Sequence, residues 1–458
     1  MRGWLALVLG LFAGAALADG AVHEFQLDNG LKLVVKEDHR APVMVSQVWY
    51  KVGSSYEHDG ITGISHVLEH MMFKGTAAHP AGEFSQIISE NGGRENAFTS
   101  QDYTAYFQTM EKNRLPVSFE LEADRMRNLT LPEKEFRKEV QVVMEERRMR
   151  TEDDPQSLTY EQFNAAAFVN SPYRTPVIGW MDDLENLRVD DLRRWYRKWY
   201  APNNATLVVV GDVDPDAVYA QARKYFGALR PSEPEAVKPR HEIEQLGRKD
   251  IRVKAPAKLP YLIMGYKVPV LKTVKAADSW EPYALEVLAG VLDQGSGARL
   301  SSELVRGSAV AASAGASYDA WERLESLFVL SGTPSTNHGV AELEKALLEQ
   351  VRKLQQTPVG KDELERVKAQ IRADKVYEQD SIFYQAMQIG ILETVGLGWR
   401  ESQRYLERIE AVTAEQVQAV ARKYLIEDHL TVAQLVPQPI EPGKEKTPHR
   451  AGVGGHVR

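Results

Sequence analysis

Apolar residues come in two rhythms along this chain. FQLDNGLKLVVKED and VMVSQVWYKVGSSYE are dense in β-branched and aromatic residues. They break at Asp28-Asn29-Gly30 and at the Ala41-Pro42 step, which predicts strands ending in turns there. From Gly63 the apolar positions take helical spacing, and residues 83 to 91 predict a second, short helix. RENAFTSQDYTAYFQTM, residues 94–110, returns to strand character. Two helices are predicted next, Leu115 to Leu129 and Glu133 to Thr151, parted by Thr130-Leu131-Pro132. Further on, DDLRRWYRKWYAPNNATLVVVGDV predicts a helix, a Pro-Asn-Asn turn and a strand.

That last unit recurs. LENLRVDDLRRWYRKWYAPNNATL, residues 184–207, lies without a gap over IEAVTAEQVQAVARKYLIEDHLTV, residues 409–432, at a constant offset of 225. Leu184 meets Ile409, Leu192 meets Val417, Arg197-Lys198 meet Arg422-Lys423, and Thr206 meets Thr431. The repeat predicts two homologous α+β halves of about 200 residues each. The expected boundaries are 19–230 for the first domain, 231–250 for a linker rich in Pro and Glu, and 251–436 for the second domain. Residues 437–458, mostly Pro, Gly and charge, are expected to be a disordered tail.

The first residues change the picture. MRGWLALVLGLFAGAALADG carries Arg2, an apolar run from Trp4 to Ala16, and Ala16-Leu17-Ala18 in the small-x-small form of a signal-peptidase site. Residues 1–18 are therefore read as a signal peptide, and the mature chain is expected in the periplasm or outside the cell. The competing reading, an uncleaved anchor, is disfavoured because the run is short against the roughly 20 residues a spanning helix needs. The chain has no cysteine, so stability must come from core burial, and a metal must be held by histidine and carboxylate. The formal charge of -8 argues against a general nucleic-acid binder and mildly favours basic ligands.

Candidate chemistry concentrates in SHVLEHMMFKG, residues 65 to 75, within a chain of 11 histidines. On a helix, His66 and His70 share a face, and Glu69 opens onto the same space, while Ile64, Val67, Leu68 and Met71 supply the apolar side. Two neutral imidazoles at this spacing suit zinc, and a carboxylate is the usual third ligand. KEVQVVMEERRMRTEDDP offers Glu139 and Glu146 two turns apart on one stripe, with Glu145 rotated away. Spacing alone leaves two readings open: metal-facing acids, or a solvated charged face paired with Arg147 and Arg148.

HVLEHMMFKGT, followed at a long interval by EVQVVMEE, resembles the pitrilysin and insulinase family of inverted-motif zinc peptidases, which includes the mitochondrial processing peptidase. The short bacterial members are the nearest in form, and the likeness runs from LDNGLKLVVKED through NAFTSQDYTAYF and SPYRTPVIGWMDDL to YAPNNATLVVVGDV. The resemblance implies an α+β fold of two homologous domains, each a mixed, mostly antiparallel sheet covered by helices, together forming half of a clamshell chamber. It implies one zinc ion per chain, with His66, His70 and Glu146 as ligands, Glu69 as general base and Glu139 as a supporting acid. Asn96, Ala97, Phe98 and Thr99 match the strand edge along which the family holds a substrate backbone. The implied activity is metalloendopeptidase cleavage of peptides or unfolded segments. The competing reading is a non-catalytic assembly protein of the same fold.

One stretch departs from the family. Where members carry an Arg and a Tyr facing the zinc from the second half, SSELVRGSAVAASAGASY has Arg306 at the arginine position but Ala312 or Ser313 at the tyrosine position, and Tyr318 comes too late. The resemblance then implies the catalytic member of a heterodimer, its homologous non-zinc partner supplying the Arg-Tyr pair, with a homodimer also open; the competing reading is that another group replaces the tyrosine or that Tyr318 reaches in from a rearranged loop.

Overall fold

A computed structural model of the protein describes residues 20–233, 238 and 240–440. The expected signal segment lies outside these residues, as does most of the expected tail.

The strands sort into two sheets. β1 (Val22–Gln26), β2 (Lys32–Glu37), β3 (Val43–Tyr50), β4 (Arg94–Thr99), β5 (Thr104–Glu111) and β6 (Ala205–Gly211) form the first, in the order β1-β2-β6-β3-β5-β4. β7 (Lys249–Pro256), β8 (Tyr261–Val268), β9 (Ala311–Ser317), β10 (Ser326–Pro334) and β11 (Leu430–Gln438) form the second, in the order β7-β11-β8-β10-β9. Among the described residues, β2 with β6 and β7 with β11 pair in parallel and the other strand pairs are antiparallel. The second sheet thus repeats the first without β1. The internal repeat extends to elements: helix Val189–Trp199, turn Pro202–Asn204 and β6 stand 225 residues before helix Ala414–Tyr424, turn Glu427–His429 and β11.

Local chemistry explains the breaks. Gly30, at φ +89°, turns β1 into β2, while the Asn29 side chain ties the turn to the carbonyls of Phe226 and Leu229 at 2.8 and 3.1 Å. Pro132 occupies the N-cap position of helix Glu133–Arg147, after helix Leu115–Arg127 has ended. The expected helix to Thr151 changes winding part-way, because residues Arg148–Glu152 form a π-turn.

Strand alternation splits each sheet into two buried faces. In the first, Leu33, Val35, Val48, Leu207 and Val209 face the helices of their own half. Val34, Val45, Trp49, Val208 and Val210 face the other way, onto Ala386 and Ile389 of helix Ile382–Thr394, which belongs to the second half. The second sheet reciprocates: Ile263, Leu327 and Ala433 pack on Phe163 and Ala167 of helix Pro155–Ala167 from the first half. Each exchanged helix meets its sheet where a glycine makes room. A Cβ on Gly390 would lie 1.9 Å from Trp49 Cε2, and one on Gly265 would lie 2.5 Å from Phe163 Cζ.

Two boundaries shift from the expected ones. β7 begins at Lys249, inside the expected linker, and β11 runs to Gln438, so Pro437 and Gln438 pair with Ala255 and Pro256 and are not tail. The linker is tied down at Glu242, whose carboxylate accepts from the backbone N–H of Val169, Asn170 and Ser171 and from Lys267 Nζ at 2.6 Å. Burial opposes ionisation of Glu242, yet these donors hold its pKa below the usual carboxylate value. Among the described residues, no helix is long and apolar enough to cross a membrane.

The exchange of helices gives a stability test. Gly390→Ala forces a methyl against the Trp49 indole in a packed interface, and overpacking of this kind costs about 1–3 kcal/mol. Urea denaturation should show that loss, whereas an unchanged midpoint would mean that the indole yields freely.

Candidate zinc centre

Helix Ile64–Met71 carries both motif histidines, and its entry is built from glycine. Gly63 is the N-cap at φ +84°, and a Cβ there would meet Ile178 O at 2.5 Å. Having no side chain, it cannot cap the helix. Glu57 does so instead, accepting from Gly63 N at 2.7 Å and from Ser65 N at 2.8 Å. Burial pushes the Glu57 carboxyl up to about 7, against the pull of those two N–H donors. Val67, Leu68 and Met71 are fully buried, which fixes the opposite face of the helix and leaves His66, Glu69 and His70 directed together.

Helix Glu133–Arg147 packs across this one and brings Glu146 up to the histidines. His70 Nε2 lies 3.6 Å from Glu146 Oε2, and His66 Nε2 lies 3.9 Å from Glu146 Oε1. Ligand atoms of His66, His70 and Glu146 all lie within 4.8 Å of one another. Glu145 points outward, its side chain 63% exposed, and pairs with Arg148. Arg147 turns inward to Glu161 and to Gly179 O. Glu146 pairs with Arg150, at 2.7 Å.

Glu139, one ring behind, stands 3.3 Å from His70 Nδ1 and is held by Lys74 Nζ at 2.7 Å. The hydrogen bond with His70 draws the Glu139 carboxyl below its ordinary pKa, more than burial raises it, and Lys74 adds to the effect. Burial works against a charged His70, but the bond to Glu139 and the charges of Glu69 and Glu146 raise its pKa overall. Three carboxylates therefore converge on two imidazoles. That donor set fits zinc: two histidine nitrogens, one carboxylate, and a backing acid that orients one imidazole.

β4 forms the outer edge of its sheet, so one side of its backbone has no neighbouring strand among the described residues. Asn96 is exposed, Ala97 and Phe98 are buried, and the Thr99 hydroxyl donates to Glu69 Oε2 at 2.5 Å. His66, Glu69, Glu146, Phe98 and Thr99 all line one cavity of about 1180 Å³ between the halves, whose far wall includes Trp321 and Tyr384. Arg306 is elsewhere: it is not among the lining residues, and its guanidinium donates to Ser296 O. Tyr318 is also committed, its hydroxyl donating to Pro269 O at 2.7 Å.

Sequence reasoning missed Glu57, Lys74 and Arg150. Arg150 stands four residues after Glu146, a helical pairing distance, and could have been found that way. Nothing local to Glu57 marks it as the cap of a helix beginning at Ile64.

A family model described as Insulinase (Peptidase family M16) matches residues 32–179, and one described as Peptidase M16 inactive domain matches residues 186–371. Zinc protease PqqE of Helicobacter pylori (strain ATCC 700392 / 26695) is 35% identical over 359 residues, spanning 78% of this chain and 79% of that protein. The chain belongs to the M16 peptidase family. Another M16 relative, the uncharacterized zinc protease YmxG of Bacillus subtilis (strain 168), is 26% identical across 89% of this chain and 97% of its own length. The crystal structure of a protease from Helicobacter pylori superposes with a TM-score of 0.86 at 31% identity, covering 91% of this chain and 100% of that one. The first half of the periplasmic protease PqqL from Escherichia coli shares the M16 fold, with a TM-score of 0.75 at 19% identity, covering 91% of this chain and 92% of that one. The stretch matched by the inactive-domain model holds only His241 and His338, too far apart to repeat the metal motif.

Substitutions in the adjacent glutamates separate the two acids. Glu146→Gln should weaken zinc binding by roughly tenfold or more in a chelator competition, while Glu145→Gln should leave it unchanged. The reverse pattern would assign the third ligand to Glu145.

Proposed function

We propose that the chain is a zinc-dependent metalloendopeptidase that hydrolyses peptides or unfolded protein segments. The observation that carries this reading is the meeting of His66, His70 and Glu146 at a cavity that His66, Glu146 and Glu69 line, beside an open strand edge. A closed structural site would use its ligands without needing Glu69 beside them.

In this reading His66, His70 and Glu146 hold the ion, and Glu139 orients His70. Zinc, when bound, lowers the pKa of water towards about 7 and polarises the scissile carbonyl. Glu69 takes the proton from the attacking water and delivers it to the leaving amine. The Thr99 hydroxyl donates to Glu69 Oε2 at 2.5 Å and so holds the carboxylate in place for that transfer. A substrate strand added along Asn96–Thr99 would present its carbonyls in register with Glu69, because Thr99 joins the strand to the base. The apolar leader with Ala16-Leu17-Ala18 supports work in the periplasm, the compartment in which PqqL is named a protease.

The oxyanion side of the site is thin within one chain, since Arg306 bonds Ser296 O and Tyr318 bonds Pro269 O. We therefore assign the missing Arg-Tyr pair to a homologous partner without the metal motif, or to a second copy of this chain.

Glu69→Gln should keep about one zinc per chain yet lose peptide hydrolysis by roughly 10²-fold to 10⁴-fold, the usual contribution of a general base. Metal analysis and a peptide-cleavage assay on the same sample read both. Wild-type protein without zinc and without cleavage would favour the assembly-protein reading.

A further inference from the structure

We infer that the second half of the chain positions the zinc-site helix and the base of the first half through Arg323. This rests on the zinc-site reading above and gives the half without a metal motif a direct part in it.

Arg323 lies just before β10, in the second half, and reaches into two turns of the first. Its Nε donates to Asp102 Oδ1 at 3.0 Å, its backbone N–H donates to Asp102 Oδ2 at 3.1 Å, and its Nη2 donates to Ser55 Oγ at 2.7 Å. The guanidinium lies over the Tyr56 ring, 4.3 Å from its centroid. Asp102 also accepts from Ser55 Oγ at 2.7 Å and from the Tyr173 hydroxyl. The ion pair is largely shielded, the Arg323 side chain being 15% and the Asp102 side chain 5% exposed.

The two turns held this way lead straight to the site. Ser55 and Tyr56 precede Glu57, the residue that caps the histidine helix at Gly63 N and Ser65 N. Asp102 sits in the turn that follows Thr99, the residue whose hydroxyl holds Glu69. The turns are also bonded to each other, Ser54 N to Ser100 O at 3.2 Å and Ser55 N to Gln101 O at 2.8 Å. They approach so closely that a Cβ on Gly53 would lie 2.2 Å from Ser100 O. One guanidinium therefore fixes, through a few covalent and hydrogen-bonded steps, both the direction of His66 and the orientation of Glu69. A planar fork suits this task because it bonds two acceptors at set angles while stacking on an aromatic ring. Arg323 touches neither metal nor substrate and acts as a positioning residue.

Lysine tests the claim, because it keeps the charge beside Asp102 but cannot reach both Asp102 and Ser55 in the same geometry. Full-chain Arg323→Lys should keep its circular dichroism and bind one metal per chain. Its cobalt-substituted form should show an altered visible absorption envelope. With zinc, kcat should fall about tenfold or more while KM stays within about twofold, since small misplacements near reacting groups act on the transition state. A folded Arg323→Lys protein with wild-type cobalt spectrum and wild-type kcat would overturn the inference. If Arg323→Lys does not fold, Ser55→Ala, which leaves the ion pair intact, should show the same spectral change with a smaller fall in kcat; wild-type behaviour there would overturn it as well. If the zinc-loaded wild-type chain cleaves no peptide by itself, the absent Arg-Tyr donors account for that, and the cobalt spectra still decide the role of Arg323.

Discussion

Each sheet has one face covered by helices of its own half and one face covered by a helix borrowed from the other half. A sheet buried on both sides cannot leave either face to water, so neither half of this chain is complete alone. Val34, Val208 and Val210 need Ala386 and Ile389, while Ile263 and Ala433 need Phe163 and Ala167. The exchange fixes the distance between the halves and so makes the cavity. Both exchanged helices line the cavity, with Tyr160 from one and Tyr384 from the other. Arg323 and Asp102 add a polar pin at one end of the same seam.

The candidate zinc centre is a problem in charge placement. Two imidazoles and three carboxylates sit close together at the mouth of a buried helix, and each has a defined partner. Lys74 and His70 hold Glu139, Arg150 and the histidines flank Glu146, and Thr99 holds Glu69. Partners of this kind keep flexible carboxylates in one rotamer, which is what a metal site and a general base both require. The π-turn after Glu146 belongs to the same economy of space, because it carries Arg150 back onto Glu146 while Arg147 turns away to Glu161.

Much of this was legible in the residues. Continuous apolar runs such as Leu207-Val208-Val209-Val210 announce strands buried on both faces, and the 225-residue repeat carries over to helix, turn and strand without a shift. The spacing of His66, Glu69 and His70 places them on one helical face, because helical periodicity is a local property. Spacing rotated Glu145 away but left Glu139 and Glu146 undecided between metal and solvent, and packing against the histidine helix is what brings Glu146 up to His66 and His70. The exchanged helices were not legible, since an apolar stripe such as that of Pro155–Ala167 does not say which sheet it covers. Arg323 was beyond reach for the same reason: it acts on Ser55 across a separation of 268 residues. The expected tail reached too far back because the stretch is rich in Pro, Gly and charge as a whole, whereas its first residues, Pro437 and Gln438, extend β11 and pair with β7.

Anomalous diffraction at the zinc edge from crystals of the purified chain decides whether His66, His70 and Glu146 hold one zinc ion. A single strong peak should lie about 2.0–2.2 Å from a nitrogen of each histidine and an oxygen of Glu146, with Glu139 bonded to His70 and outside the coordination sphere. A zinc-loaded crystal with no peak between these three residues, or with the ion coordinated by Glu145, would contradict that assignment.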